Sequence, residues 1–433
     1  MTDTPNFAKS RRFAPLFLTQ FLGAFNDNLF KTTLFVLISF YGLGKNGWLP
    51  SSQMLNLGSL LFVLPYFLFS AVSGQLSTRF NKARIAQTTK FLEICIMALA
   101  SYGFYTASAP LLLFCLFLMG THSSLFGPVK YAILPEYLKE NELIMGNGLI
   151  ESGTFLAILF GQIIGTSIAG QPVWLVVGIV LAVAVCGFAA SLFMPSVAAK
   201  DPTLRIRPNI IRGTKELIRQ TCVQKDLTTA IIGISWFWFV GAVYTTQLPT
   251  FVQIHLGGND NVFNLMLTLF SVGIATGSVL CAKLSKGSLK LWLVAVGTVG
   301  LSLSGCLLVW LVHGSVHPDP QNLSGIFAFL AQGAAYPIIL VMLAIGFFGG
   351  FFSVPLYTWL QTASSDEFRA GAIAANNIAN GVFMVAAALL SALLLYLFDS
   401  ITLLYLIVAV GNLPVLAWLA VRAPQMLFPR KKS

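Results

Sequence analysis

Apolar residues fill the chain in long runs, at about 13–42, 54–76, 85–107, 109–135, 143–169, 173–194, 227–254, 262–282, 289–312, 336–360, 370–398 and 401–421. At about 1.5 Å of rise per residue, each run is long enough as a helix to cross a hydrocarbon core about 30 Å thick. The pattern predicts an all-α protein of twelve membrane-spanning helices. The stretch from Ile326 to Leu360 exceeds one span, so 326–335 is expected as a separate interfacial segment. One long polar interruption, Ser196 to Asp226, separates six spans from six. The expected organisation is a first bundle over 1–195, a linker over 196–226 and a second bundle over 227–433. Basic residues crowd the linker, and from Arg212 onward their spacing allows either a basic amphipathic helix on the membrane surface or a plain connection.

Composition agrees with the pattern. The 433 residues are 56% hydrophobic and only 9% charged, with a mean hydropathy of +0.80, outside the range of a soluble domain. A net charge of +11 raises the possibility of a nucleic-acid partner, but the placement of the charge excludes it. With a cytoplasmic N-terminus, all of the 26 Lys and Arg except Lys45, Lys31 and Lys130 fall in or beside cytoplasmic segments. That is the positive-inside distribution for twelve spans with both termini in the cytoplasm, and the basic face suits anionic inner-leaflet lipid. The six cysteines show no paired spacing and read as packing residues. Lys9-Ser10-Arg11-Arg12 resembles the start of a signal peptide, yet the run that follows is too long and too polar, and it is kept as span 1.

The candidate chemistry lies where charge interrupts these runs. Span 1 carries Asn26-Asp27-Asn28 and then Lys31. Asp27 falls about 21 Å from the start of the span, past the middle of the bilayer, where a charge persists only beside a cavity or a partner. Asp27 and Lys31 are four residues apart on one helix face, so they are expected either to neutralise each other or to meet substrate. Lys130 on span 4 and Glu151 on span 5 both fall roughly 10 Å inside the cytoplasmic face and read as an ion pair or a headgroup site. Glu93 on span 3 is expected to snorkel or to pair with Lys90 or Arg84. His122 is expected to be hydrogen-bonded, with proton relay as the alternative. His313, His317 and Asp319 form an outward-facing cluster with weak metal-ligand spacing. Amides at Gln20, Asn147, Gln247, Gln361, Asn376, Asn377 and Asn380 complete the inventory, either as contacts between helices or as donors to a phosphate. Pro128 and Pro355 are expected to loosen spans 4 and 10. The sequence carries no catalytic constellation, no cofactor motif and no convincing metal site.

The halves repeat weakly, Pro128 and Asn147 of spans 4 and 5 answering Pro355 and Asn376-Asn377 of spans 10 and 11, so two related bundles around a central cavity are expected. The loop after span 2, Gly74-Gln75-Leu76-Ser77-Thr78-Arg79-Phe80-Asn81-Lys82-Ala83-Arg84, resembles the G-x-L-x-D-R-x-G-R-R loop of the major facilitator superfamily, with Thr78 at the aspartate. The resemblance implies gating roles for Gly74, Arg79 and Arg84, to which the helix-loosening Pro128 and Pro355 are added as aids to rocking, and it implies that span 3, with Glu93, lies at the periphery.

Three further runs, Phe21 to Asn28, Gly127-Pro128-Val129-Lys130-Tyr131 through Glu136, and Gly146-Asn147-Gly148-Leu149-Ile150-Glu151, resemble the lysophospholipid transporter branch of that superfamily. The chain is also similar to the transporter portion of longer proteins fused to an acyltransferase and an acyl-carrier-protein synthetase. The resemblance implies inward flipping of lysophosphatidylethanolamine and lysophosphatidylglycerol across a bacterial inner membrane by alternating access, for reacylation at the cytoplasmic face. It implies substrate contacts by Asp27, Lys130, Tyr131, Asn147 and Glu151; the chain's own polar inventory adds Lys31, Asn26, Asn28 and Asn377 as candidates, and Phe62, Phe67 and Phe69 of span 2 are the candidates to line an opening for the acyl chain. Where some relatives carry an arginine in span 7, this chain has Tyr244-Thr245-Thr246-Gln247, so the partner of Asp27 is either absent or supplied by Lys31. A monomer is expected, with lysophospholipid and bilayer lipid as its partners. The competing reading is a proton-coupled small-solute or drug antiporter with Asp27 as the proton carrier.

Overall fold

A computed structural model describes residues 7–45, 49–206, 209–315 and 323–427. Fourteen α-helices follow in order among the described residues. They are α1 (Ala14–Phe40), α2 (Ser51–Arg79), α3 (Lys82–Tyr105), α4 (Ala109–Tyr137), α5 (Glu140–Ile168), α6 (Val173–Leu192) and α7 (Ile210–Val223), then α8 (Lys225–Leu256), α9 (Asp260–Ser285), α10 (Trp292–Leu311), α11 (Ile326–Leu330), α12 (Ala335–Ala363), α13 (Arg369–Phe398) and α14 (Ile401–Arg422). Twelve of them match the twelve apolar runs. The short α11 is the expected break ahead of α12, and α7 is the helix allowed by the linker's spacing. Among the described residues, ten helices are long and apolar enough to cross a membrane; α1 and α3, which hold Asp27, Lys31, Lys90 and Glu93, fall short in apolar character.

Two compact units emerge. The first comprises the chain up to Gly146, Leu156–Gln224 and Gln361–Ile378. Within it α2 packs on α4, α3 on α4 and α6, and α1 on α6. Leu29, Phe30 and Leu34 of α1, Met97 and Ala100 of α3, Leu112, Cys115 and Met119 of α4, and Val180 of α6 fill the interior. Because lipid is as apolar as these side chains, the packing relies on close contact more than on the hydrophobic effect. Gly161 and Gly165 of α5 supply such contact: a Cβ at either would run into the α1 backbone at Phe25 and Leu29. The hydroxyl of Thr33 seals the crossing by donating to the Gly165 carbonyl at 3.1 Å. The turn of α1 that carries Asp27 is therefore clamped by α5.

The second unit comprises Asn147–Phe155, Lys225–Leu360 and the chain from Ala379. Here α8 and α10 pack on α14, and α9 meets α12 backbone to backbone where Gly273 and Gly277 face Gly346 and Gly350.

The loop after α2 is built from polar contacts of the first unit. Asn81 caps α3, its side chain accepting from the amides of Ala83 and Arg84 at 2.9 and 3.3 Å. The Thr78 carbonyl accepts from the amides of both Lys200 and Asp201 at 3.1 Å, tying the start of the linker to this loop. With no carboxylate at position 78, Glu136 and Asp366 provide the local acid: Lys82 pairs with Glu136 at 2.8 Å, and Lys200 sits 3.8 Å from Glu136 and 3.3 Å from Asp366. Arg369 stands 2.7 Å from Asp366 and holds its carboxyl below the usual carboxylate range.

Gly74 of α2 abuts the first turns of α13, where an added Cβ would lie 2.9 Å from Ala374 Cβ and 3.3 Å from the Ala370 carbonyl. Gly74→Leu is expected to wedge the two helices apart and cost about 1–3 kcal/mol as an overpacking change. A lowered thermal-unfolding midpoint of the purified protein in detergent, larger than that of Gly74→Ala, is the measurement.

Candidate functional site

Three consecutive polar residues on a helix cannot share a neighbour, because each is turned about 100° from the last. Asn26 points at α3 and donates to Glu93 Oε1 at 2.7 Å. Asp27 points at α4, where Ser123 donates to its Oδ2. Asn28 folds back onto its own helix and donates to the Ala24 carbonyl at 2.8 Å. All three are buried, Asn26 completely. Asp27 Oδ1 is buried without a hydrogen-bond partner.

Around them lies a polar cluster that the sequence reading did not assemble. Lys90 and Glu93 stand three residues apart on one face of α3, with Nζ 2.6 Å from Oε2, and both are fully buried. The ammonium occupies a niche left by the missing side chains of Gly23 on α1 and Gly187 on α6, beneath the Phe126 ring at 5.7 Å. His122 Nε2 lies 3.3 Å from the same Glu93 oxygen, outside hydrogen-bond geometry but within ion-pair range if protonated. On its other edge, His122 Nδ1 is 3.5 Å from the Ser123 hydroxyl. A continuous path of polar atoms thus joins Lys90, Glu93, His122, Ser123 and Asp27.

Three expectations are corrected by this arrangement. Glu93 is neither peripheral nor snorkelling; its pairing with Lys90 holds, but at the centre of the first unit. Lys90, read as part of the basic rim, is buried eight residues into α3, about 12 Å along it. The same-face partners Asp27 and Lys31 do not come within ion-pair distance. Lys31 is only half-buried and places its Nζ 5.2 Å from the centre of the Phe62 ring on α2, and it has no ion pair among the described residues.

The remaining candidates distribute as follows. Lys130 is half-buried on α4, two turns or about 10 Å beyond Ser123, with its Nζ 4.7 Å from the ring of buried Tyr131. The Tyr131 carbonyl accepts from Gln361 Nε2 at 3.0 Å. Asn147 and Glu151, one turn apart on α5 and both buried, belong to the second unit, where Asn147 donates to Thr358 Oγ1 at 3.1 Å. Asn377 turns its side-chain amide toward Gly127 of α4, and its Nδ2 has no hydrogen-bond partner. Both side-chain polar atoms of its fully buried neighbour Asn376 are also unpartnered. Arg79 stacks on Phe80 at 5.3 Å, and Arg84 is exposed on the first turn of α3. Pro128 and Pro355 lie inside α4 and α12, which continue through them. Phe62, Phe67 and Phe69 are half-buried. His317 and Asp319 lie outside the described residues.

Comparison with known proteins gives the family. The family model described as Major Facilitator Superfamily matches residues 16–319. The chain belongs to the major facilitator superfamily. Solved members of that fold are similar over nearly their whole length. The human organic anion transporter MFSD10 (TETRAN) superposes with a TM-score of 0.76 at 13% identity, covering 96% of this chain and all of that one. The Escherichia coli fucose:proton symporter FucP gives a TM-score of 0.68 at 13% identity, covering 95% of this chain and 98% of its own. Among curated relatives, the lysophospholipid transporter LplT of Enterobacter sp. (strain 638) is 30% identical over 380 residues, 84% of each chain. LplT of Cronobacter sakazakii is 29% identical over 382 residues, 87% of each. The resemblance read from the motifs is borne out.

Proposed function

We propose that this major facilitator carries lysophospholipid, moving lysophosphatidylethanolamine and lysophosphatidylglycerol from the outer to the inner leaflet of a bacterial inner membrane by alternating access. Twelve spans with both termini in the cytoplasm, a monomeric carrier, and reacylation of its product by a cytoplasmic-side acyltransferase or acyl-carrier-protein synthetase complete the reading. The observation that carries it is on α1. Asp27 has a buried carboxylate oxygen without a partner, and Lys31, one turn along, has an ammonium without an ion pair among the described residues. A zwitterionic headgroup supplies the missing partner to each, its ammonium to Asp27 and its phosphate to Lys31. Both charges are costly at membrane depth when unmatched, so the substrate that matches them gains binding energy. The half-buried phenylalanines of α2 offer an apolar flank for the acyl chain. Lys130, Tyr131, Asn147, Glu151 and Asn377 remain the candidates for contacts along the rest of the path.

The path from Glu93 through His122 and Ser123 to Asp27 favours a second reading, exchange of a cationic solute for protons. Proteoliposomes separate the two. The lysolipid reading predicts that labelled lysophosphatidylethanolamine enters without a pH gradient while a cationic dye does not. Dye exchange that needs the gradient, with no lysolipid movement, reverses the choice. Lys130→Ala is expected to lower lysolipid uptake at unchanged protein yield in the same assay.

A further inference from the structure

The linker helix α7 has a face that no part of the described chain covers. Its inner side is seated: Gly213 and Thr221 are buried, a Cβ on Gly213 would lie 3.4 Å from Gln75 of α2, and the Leu217 side chain packs at Gly371 of α13. A turn of about 100° per residue puts Ile211, Ile218 and Cys222 together on another side. Ile211 is 82% and Ile218 42% exposed, and Cys222 is exposed as well. Directly beside this stripe, in the same helical projection, come Arg212, Lys215 and Arg219, all exposed. A short apolar wedge rimmed on one side by cations is the pattern of a helix lying in a lipid interface.

Position selects the occupant. Gly213 is level with Gln75, four residues before the end of α2, so α7 lies beside the last turn of an apolar span, about 6 Å from its end. That is headgroup depth, and three cations there complement lipid phosphates. We propose that α7 is a docking surface for an anionic lipid leaflet, with Ile211, Ile218 and Cys222 entering the boundary between headgroups and acyl chains and Arg212, Lys215 and Arg219 meeting lipid phosphates. The surface is separate from the carried substrate, and it stands or falls on where the helix lies, whatever the chain transports.

The test uses the full chain with Cys95 and Cys186 replaced by serine and Cys306 by alanine, so that an environment-sensitive fluorophore attaches at native Cys222. The protein is reconstituted into phosphatidylcholine vesicles containing from none to about half phosphatidylglycerol. The expected result is a blue-shifted emission, quenched by a lipid carrying a shallow nitroxide, that strengthens as phosphatidylglycerol rises. Each charge removed from the set Arg212→Gln, Lys215→Gln and Arg219→Gln is expected to weaken the attraction about fivefold, so the triple variant needs more phosphatidylglycerol for the same shift. Water-like emission at every composition overturns the proposal and leaves the face to solvent or a protein partner. Quenching that ignores both phosphatidylglycerol and the three substitutions overturns the assignment to anionic lipid. Matching elution profiles of all variants on size exclusion exclude misfolding as the cause.

Discussion

Glu93→Ala is expected to be the most destabilising single change in the first unit. Lys90 is fully buried against that carboxylate at 2.6 Å, and Asn26 donates to its other oxygen at 2.7 Å. Truncating one partner of a buried pair strands the other charge, which costs about 3–5 kcal/mol. The Asn26 amide, whose Oδ1 already lacks a partner, then also loses its acceptor. The expected outcome is a sharply lower yield of monodisperse protein and a large fall in thermal-unfolding midpoint in detergent. The paired change Lys90→Met with Glu93→Leu removes both charges together and is expected to recover most of the loss, because apolar replacement of a buried pair is often neutral or better. If the paired variant is as unstable as Glu93→Ala, the burden lies with Asn26 and His122. Glu93→Gln, which keeps an acceptor for Asn26 but strands Lys90, is expected to fall between.

The contrast between this cluster and the fold shows what a sequence displays. Helix existence follows from one-dimensional quantities: the length of an apolar run and the turn signals that bound it. Twelve runs became twelve helices, and the excess length after Ile326 became α11 and a break before α12. The buried cluster depends on azimuth and on partners from other helices, which no run length encodes. Lys90 lies near the start of its run, so depth alone assigned it to the basic rim. Its actual environment depends on glycines at 23 and 187, in two other helices, that leave room for its ammonium. Ser123 had no distinguishing signal, since a serine in a membrane helix ordinarily bonds its own backbone. Pairing with Lys90 is one of the three outcomes the sequence allows for Glu93, and it is the one the fold realises. Of the two outcomes open to Asp27 and Lys31, mutual pairing is not the one realised, because a shared helix face permits contact without requiring it. The Ser123 hydroxyl and the Phe62 ring are the competing partners that won.

That separation of Asp27 from Lys31 makes the headgroup assignment testable one charge at a time. Asp27→Asn retains an oxygen that accepts from Ser123 and leaves no cation stranded within ion-pair distance, so the variant is expected to fold with nearly unchanged thermal stability. If the carboxylate meets the ethanolamine ammonium, the variant forfeits a charge-assisted hydrogen bond of about 1.5–3 kcal/mol, roughly a ten- to hundredfold loss in lysophosphatidylethanolamine uptake. Lysophosphatidylglycerol has no ammonium, and its uptake is expected to change little. Lys31→Met should instead depress both substrates, since both present a phosphate. The two variants therefore give different patterns across the two headgroups in one proteoliposome assay. Equal losses for both lipids in Asp27→Asn would remove Asp27 from ammonium recognition and assign it, through Ser123 and His122, to the conformational or proton-linked step instead.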